Sequence, residues 1–386
     1  MNQELYQLTV GAVLKWSRLQ KDITLAKASE LSGLSLQYIG ELERGEKNPS
    51  ESSIDSLCKA YEIKFDRSYS TEELGLELMN EFIHKLNFLS LNNIDNSYFF
   101  DDSKFSLSFL YKQLLNEAYY LVIKNNSYNF SYFLKTLGKY YDQTGGLLYS
   151  LYNFLLSIYY DSFNDDKCLE YAEKSLSNSG NAEAFFRANY SAMLCKYNCL
   201  IHSLIESEKS IFIAQNHSYF KLIQLTKMNQ GIIYIKLRQY NEAIQILGEC
   251  LETARDNNID DIVMKCKENI VYAYLLDNKL SDAIEYCDKY LKQNNYTFQI
   301  VHMIDCYYKN KSFSCNNKQI DDLYADLIDI RKNLTVNTIN KCIKKYNVDF
   351  VSFQLILNSV IHNLEKKGDY KLANVYLKQL YNFTNF

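Results

Sequence analysis

The stretch RQYNEAI at 238–244 returns forty residues later as NKLSDAI at 278–284, and this spacing constrains the fold more than any other feature of the chain. Each copy follows an aromatic-rich segment, NQGIIYIKL from Asn229 and NIVYAYLLD from Asn269. A weaker copy, NYSAMLCKYNCLIHSL, begins another forty residues upstream at Asn189. Periods of this size belong to helical hairpins, which stack because no single hairpin buries its own apolar face. Ala243 and Ala283 are small enough to let the second helix of each hairpin approach the first. Gly231, Tyr234 and Tyr274 stand where close packing and a bulky plug are wanted. Degenerate units at about 150–178 and 352–382 extend the array, and 296–350 reads as helical and irregular. One proline and twelve glycines in 386 residues is too little punctuation for a strand-and-turn architecture, so the chain is predicted to be nearly all helical.

Near the N-terminus, Thr24 to Pro49 (TLAKASELSGLSLQYIGELERGEKNP) follows a different pattern. Thr24 is suited to cap a short helix with apolar positions Leu25, Ala28 and Leu31. Ser32-Gly33-Leu34-Ser35 breaks the period: Gly33 accepts a left-handed turn and Ser35 caps the next helix. There Tyr38, Ile39 and Leu42 recur at helical spacing, leaving Leu36, Gln37, Gly40, Glu41 and Arg44 on the other side. Two short helices about a glycine turn make a helix-turn-helix, or else a plain helical hairpin unconnected with nucleic acid. A preceding helix is predicted over about 8–21 with Val13, Leu14 and Leu19 inward, and a following one from Ser50 to Tyr61 with Ile54, Leu57 and Ala60 closing a small core.

Residues 11–63 resemble the Xre/Cro family of helix-turn-helix DNA-binding domains. The matching positions are Arg18, Gly33-Leu34-Ser35, Tyr38-Ile39, Glu43-Arg44-Gly45 and Asn48-Pro49-Ser50; the family's Leu-Ala core pair is Ala28-Ser29 here, and Leu25 stands where a glutamine is usual. The resemblance implies that Arg18 and Glu43 are partly buried partners holding the first helix to the third. Gln37 is the expected base reader, because an amide can pair both edges of adenine; Leu36 suits a thymine methyl and Glu41 a cytosine amine. Arg44, Lys47 and Asn48 are expected on phosphates, which position without specifying. Thr24 and Ser35, at the two helix starts, complete the candidate DNA contacts.

Charge is the difficulty for that reading. The net charge is −4, and residues 1–63 carry seven Lys/Arg against nine Asp/Glu, whereas a DNA-contacting face is usually basic. The expectation is that Lys15, Lys21, Lys27, Arg44 and Lys47 gather on the phosphate side while Glu4, Glu51, Asp55 and Glu62 lie elsewhere. A homodimer on two half-sites of a double-stranded operator would then offset the weak attraction of each domain. KFDRSYSTEE (64–73) ends the first domain, and Ser70 with Glu73 at capping-box spacing announces a helix striped by Leu74, Leu78, Phe82, Leu86 and Leu89. That stripe packs on its own chain or on a dimer partner. The predicted organisation is 1–66, a helix-turn-helix domain; 67–104, a linker helix and dimer contact; and 105–386, the repeat domain.

Ten cysteines without a CxxC pair suit packing thiols in a reducing cell. Cys195, Cys199 and His202 have the spacing of one helix face, but a metal site would want a fourth ligand; no metal or other cofactor is expected. The lack of an apolar run of membrane-spanning length and of a signal peptide predicts a cytoplasmic protein without a membrane partner.

The repeats resemble tetratricopeptide repeats, which implies a right-handed helical solenoid. In such domains the place shared by Asn189, Asn229 and Asn269 faces the inner groove, where a carboxamide can hold a peptide main chain as donor and acceptor. Neighbouring candidates are Lys236 and Lys265, for a ligand carboxylate, and Tyr272. The combined chain resembles the RRNPP group of peptide-sensing regulators (Rgg, PlcR and PrgX relatives). That resemblance implies a dimeric, non-enzymatic transcription factor whose solenoid binds a short signalling peptide. The alternatives are a solenoid for a protein partner or small molecule, or a repeat protein acting on a response-regulator phosphatase pathway; no nucleophile–base pair supports catalysis.

Overall fold

A computed structural model of the chain describes residues 3–90, 104–124, 126, 130–346 and 350–383, and most of them are helical. Four helices open the chain: α1 (Gln3–Gln20), α2 (Leu25–Ser32), α3 (Leu36–Glu43) and α4 (Glu51–Ala60). Their starts are chemically marked. Thr24, Ser35 and Ser50 each have extended backbone and a hydroxyl accepting an amide of the first turn, from Lys27, Tyr38 and Ser53. Gly33 ends α2 at φ +73°, a conformation that costs glycine nothing. The enclosed core is Val10, Leu14, Ala28, Ile39, Leu42, Ile54, Leu57 and Tyr61. Gly11 brings α1 against α3, since a Cβ there would lie 2.5 Å from the Leu42 carbonyl oxygen. Two expectations fail here. Leu31 is half exposed, because its angular position on α2 lies off the face that buries Ala28, and Gly40 is buried under Arg44.

Strand β1 (Lys64–Asp66) pairs in parallel with β2 (Lys104–Ser106), Phe65 opposite Phe105. Between them α5 (Tyr69–Asn87) starts after Ser68, so the capping box predicted at Ser70 lies inside the helix instead. Its Phe82 and Leu86 are buried with Met79 and Ile83 in the chain's own core, while Leu74 and Leu76 remain exposed. Residues 91–103 of the predicted linker lie outside the described ones. α6 (Phe109–Ala118) continues through a π-helical turn, Tyr119–Ile123, and is followed by α7 (Phe130–Tyr141), α8 (Gly146–Asp161) and α9 (Lys167–Lys174). Leu8, Ala12 and Val13 of α1 share one core with Ile83, Phe109, Leu114, Phe133, Leu137 and Phe154. The helix-turn-helix is thus packed on α5–α8.

The array then becomes regular: α10 (Glu183–Lys196), α11 (Leu200–Asn216), α12 (Phe220–Lys236), α13 (Tyr240–Asp256), α14 (Asp260–Leu276) and α15 (Leu280–Tyr290). α11 to α14 are each 17 residues long. Between helices, Asn178, Asn198, Ser218, Arg238, Asn258 and Asn278 all take left-handed φ, from 56° to 63°. After each of the last five, the next amide reaches back five residues to a helix carbonyl, as in Lys279 N to Tyr274 O at 2.9 Å. Asparagine tolerates this conformation better than most residues, so it ends four of these six segments. Ala243 and Ala283 are fully buried, and a Cβ on Gly231 would meet Leu247 at 2.5 Å, as the close approach of paired helices requires. α16 (Tyr296–Tyr308), α17 (Lys318–Lys332), α18 (Val336–Tyr346), α19 (Phe350–Lys366) and α20 (Tyr370–Phe383) enclose a further core around Ile304, Leu323, Ile356 and Val360.

The chain divides into two compact units, Met1–Met193 with Glu208–Ile223, and Leu194–Ser207 with Gln224–Phe386. The helix break at Asn198 separates Cys195 on α10 from Cys199 in the turn and His202 on α11, so the three do not share one helix face. Among the described residues no cluster could hold a metal, and no helix is long and apolar enough to cross a membrane.

Glu117 on α6 is only 6 % exposed, and burial pushes its carboxyl up to about 7 from 4.5. The folded state therefore keeps a proton that the unfolded chain has lost. Its stabilising effect is whole below about pH 4.5 and is lost as pH rises to about 7, roughly 3 kcal/mol in all. Urea unfolding of Glu117→Gln should lose most of this dependence and be more stable than wild type at neutral pH.

Candidate nucleic-acid interface and repeat-face amides

One buried ion pair sets the position of α3. Arg18 donates Nε to Glu43 Oε1 at 2.7 Å and a terminal nitrogen to Oε2 at 2.8 Å, and its other terminal nitrogen to the Ile23 carbonyl at 2.8 Å. The two residues are 8 % and 4 % exposed. Tyr61 adds its hydroxyl to Glu43 Oε1 at 3.4 Å. The hydrogen bond to Glu43 raises the arginine's affinity for its proton. This is the pairing expected from residues 18 and 43, with both carboxylate oxygens satisfied.

The opposite face of α3 is open. Leu36, 49 % exposed, and Gln37 project from its first turn. Gln37 donates to Glu41 at 2.9 Å, and Glu41 also holds Lys47 at 2.6 Å. Arg44 grips Glu46 through two nitrogens at 2.6 and 2.8 Å. These contacts lower the Glu41 and Glu46 carboxyls and raise Arg44 and Lys47. Asn48 is exposed beside them, and the Thr24 and Ser35 hydroxyls are taken by capping. The predicted free basic face is not there. Lys21 pairs with Glu62 at 3.2 Å and Lys27 with Glu30 at 3.0 Å. Lys15 is half-buried over the Tyr140 ring at 5.4 Å, where burial lowers its proton affinity. Lys27, Arg44 and Lys47 each have a carboxylate within six residues along the chain, and Lys21 has one from just past the end of α4.

The repeat residues fall into different environments. Asn189 donates to Ser157 Oγ at 3.3 Å. Asn229 and Asn269 are half-buried with no side-chain hydrogen bond among the described residues. The Lys236 ammonium donates to the Cys195 carbonyl at 2.7 Å, which uses one of its three N–H groups. Lys265 is exposed. Tyr272 shares a hydrogen bond with Thr297 at 3.0 Å and lines a cavity of about 250 Å³ with Leu275, Leu280, Tyr308, Gln354 and Asn358. Gln354 Oε1 is buried there without a partner among the described residues.

Residues 14–67 match the family HTH_3, helix-turn-helix. Over 59 residues the chain is 36 % identical to the transcriptional regulator ClgR of two Mycobacterium tuberculosis strains, which is 15 % of this chain and 53 % of that protein. The N-terminal segment is an Xre-type helix-turn-helix domain. The chain spans about half the length of the curated relatives it matches. A different likeness covers most of the helices. The crystal structure of a Rap protein complexed with competence and sporulation factor superposes with a TM-score of 0.59 at 12 % identity, over 81 % of this chain and 98 % of that one. The apo form of RapI gives 0.52 at 15 % identity, over 80 % and 97 %. At that identity the likeness is one of fold. The segment that matches the helix-turn-helix family is therefore joined to helices that share the Rap fold.

Within the Xre-type domain the sequence did not announce Tyr61 or Tyr140 as partners of Glu43; neither tyrosine lies near it in the chain, and tyrosine is abundant. Arg18→Met should strand the buried Glu43 charge and cost roughly 3–5 kcal/mol, most of which Arg18→Met/Glu43→Leu should recover. Chemical denaturation of the two variants checks this, and a double variant as weak as the single would contradict it.

Proposed function

We propose that the chain is a sequence-specific DNA-binding transcriptional regulator whose helical repeats bind a short signalling peptide. The observation that carries it is an outward-facing α3, Leu36 and Gln37 leading, on a support fixed by the buried Arg18–Glu43 pair. A short helix so exposed fits a major groove. Gln37 reads adenine after releasing Glu41, and Arg44, Lys47 and Asn48 take phosphates. Each cation must first leave a carboxylate, so one domain gains little from counterion release, and two copies on two half-sites are needed.

For the repeats, Asn229 and Asn269 offer unpaired amides at equivalent places, which suits the main chain of an extended peptide. The Rap-like fold supports this reading, since one such protein was crystallised with competence and sporulation factor. Peptide and operator affinities are then linked, each altering the other by the same factor.

Two measurements test these halves separately. With duplexes selected from a random pool, Gln37→Ala should lose about 1–3 kcal/mol of discrimination at its base. Glu46→Gln should bind more tightly and steepen the salt dependence by about one phosphate's worth. A wild-type protein that selects no duplex ends the DNA reading. In calorimetry with peptides encoded by neighbouring small reading frames, Asn229→Ala/Asn269→Ala should weaken binding about tenfold or more; no heat from any peptide, or an unchanged affinity, argues for another ligand.

A further inference from the structure

The last four carbonyls of an α-helix have no partner within it. In α3 three of them are met locally: Gly40 O by Arg44 N at 3.1 Å, Glu41 O by Glu46 N at 3.0 Å and Leu42 O by Gly45 N at 3.0 Å. The fourth, Glu43 O, accepts the hydroxyl of Tyr140, a residue of α7. Tyr140 is 3 % exposed. Its surroundings are built to hold it. Lys15 lies over its ring, and Trp16 of α1 packs edge-on against Tyr132 of the same α7 with ring centres 5.8 Å apart. α7 is in turn close to α8, because a Cβ on Gly138 would come within 2.9 Å of the Tyr152 hydroxyl. A helix outside the Xre-type domain thus completes the hydrogen bonding of the helix that faces solvent.

We propose that Tyr140 is a positioning residue through which the helices following the Xre-type domain set the pose of α3. The hydroxyl fixes the C-terminal end of α3 while the Arg18–Glu43 pair fixes its buried side. Any displacement of α7 then reaches Leu36 and Gln37 without crossing the β1–β2 connection. The functional consequence rests on α3 being the reading helix; the mechanical one does not.

The test compares full-length Tyr140→Phe with Tyr141→Phe. Tyr141 is an equally buried neighbour whose hydroxyl donates to the Leu110 carbonyl at 2.7 Å, so its loss weakens the same core without touching α3. Hydrogen exchange should quicken about three- to tenfold in residues 36–46 of Tyr140→Phe alone, with α2 and α4 unchanged. Affinity for a duplex that wild type selects from a random pool should fall by a similar factor at unchanged salt dependence. Equal effects in both variants, or none in residues 36–46, overturn the proposal. If wild type selects no duplex, the DNA reading fails while the exchange comparison still decides Tyr140's role. Should Tyr140→Phe not fold, wild-type exchange decides: residues 41–46 exchanging as fast as exposed α2 would overturn the assignment.

Discussion

Two opposite charges sealed between α1 and α3 are expensive to desolvate, and only a full set of hydrogen bonds makes their burial tolerable. Arg18 and Glu43 have that set: two parallel bonds to each other, one from the guanidinium to Ile23 and one from Tyr61 to the carboxylate. The consequence is geometrical more than energetic. An apolar contact tolerates small slips, whereas a bidentate pair fails if α3 rotates or slides, because a charge would then be left in a dry site. Gly11 reinforces this by letting the α1 backbone approach the α3 carbonyls. With one side of α3 so fixed, the exposure of Leu36 and Gln37 follows from helical periodicity alone.

The electrostatics of the exposed side follow from the same economy of charge. Arg44 and Lys47 are not free cations but halves of ion pairs with Glu46 and Glu41. Pairs this exposed contribute little to stability. They do govern attraction, since a duplex must compete with the carboxylates for every cation it gains. Nonspecific sites, which offer phosphates only, recover least from that exchange. The cost of freeing the cations is the same at every site, so on the proposed reading it lowers affinity throughout and leaves discrimination to the base contacts of Leu36 and Gln37.

What could be read from the chain divides by distance along it. The capping hydroxyls of Thr24 and Ser35, the turn at Gly33 and the forty-residue beat are local patterns, and each appears where its chemistry placed it. The Arg18–Glu43 pair spans the domain and was legible only through resemblance. Tyr140 was not legible at all, because its partner is a main-chain carbonyl 97 residues away. Elsewhere, helix ends decided matters that residue spacing left open. α5 begins at Tyr69 and not beyond Ser70, and the turn at Asn198 parts Cys195 from His202. The bond from Lys236 to the Cys195 carbonyl, 41 residues away, was likewise beyond what spacing shows.

Asparagine is where the two kinds of information meet. The sequence suggests a ladder of amides, yet asparagine also ends helices at 178, 198, 258 and 278. Frequency therefore says little about binding; position within each helix or turn says more. An asparagine in a left-handed turn is explained by backbone conformation. Asn229 and Asn269 sit mid-helix, where the residue is a poor helix former, half-buried and unpartnered within the described residues. Both the helix propensity and the partial desolvation count against them unless something external completes their hydrogen bonds. Asn189, at the same spacing, is already served by Ser157. The physical case for a guest strand therefore lies with the second and third members of the column, and with the neighbouring cavity in which Gln354 also lacks a partner.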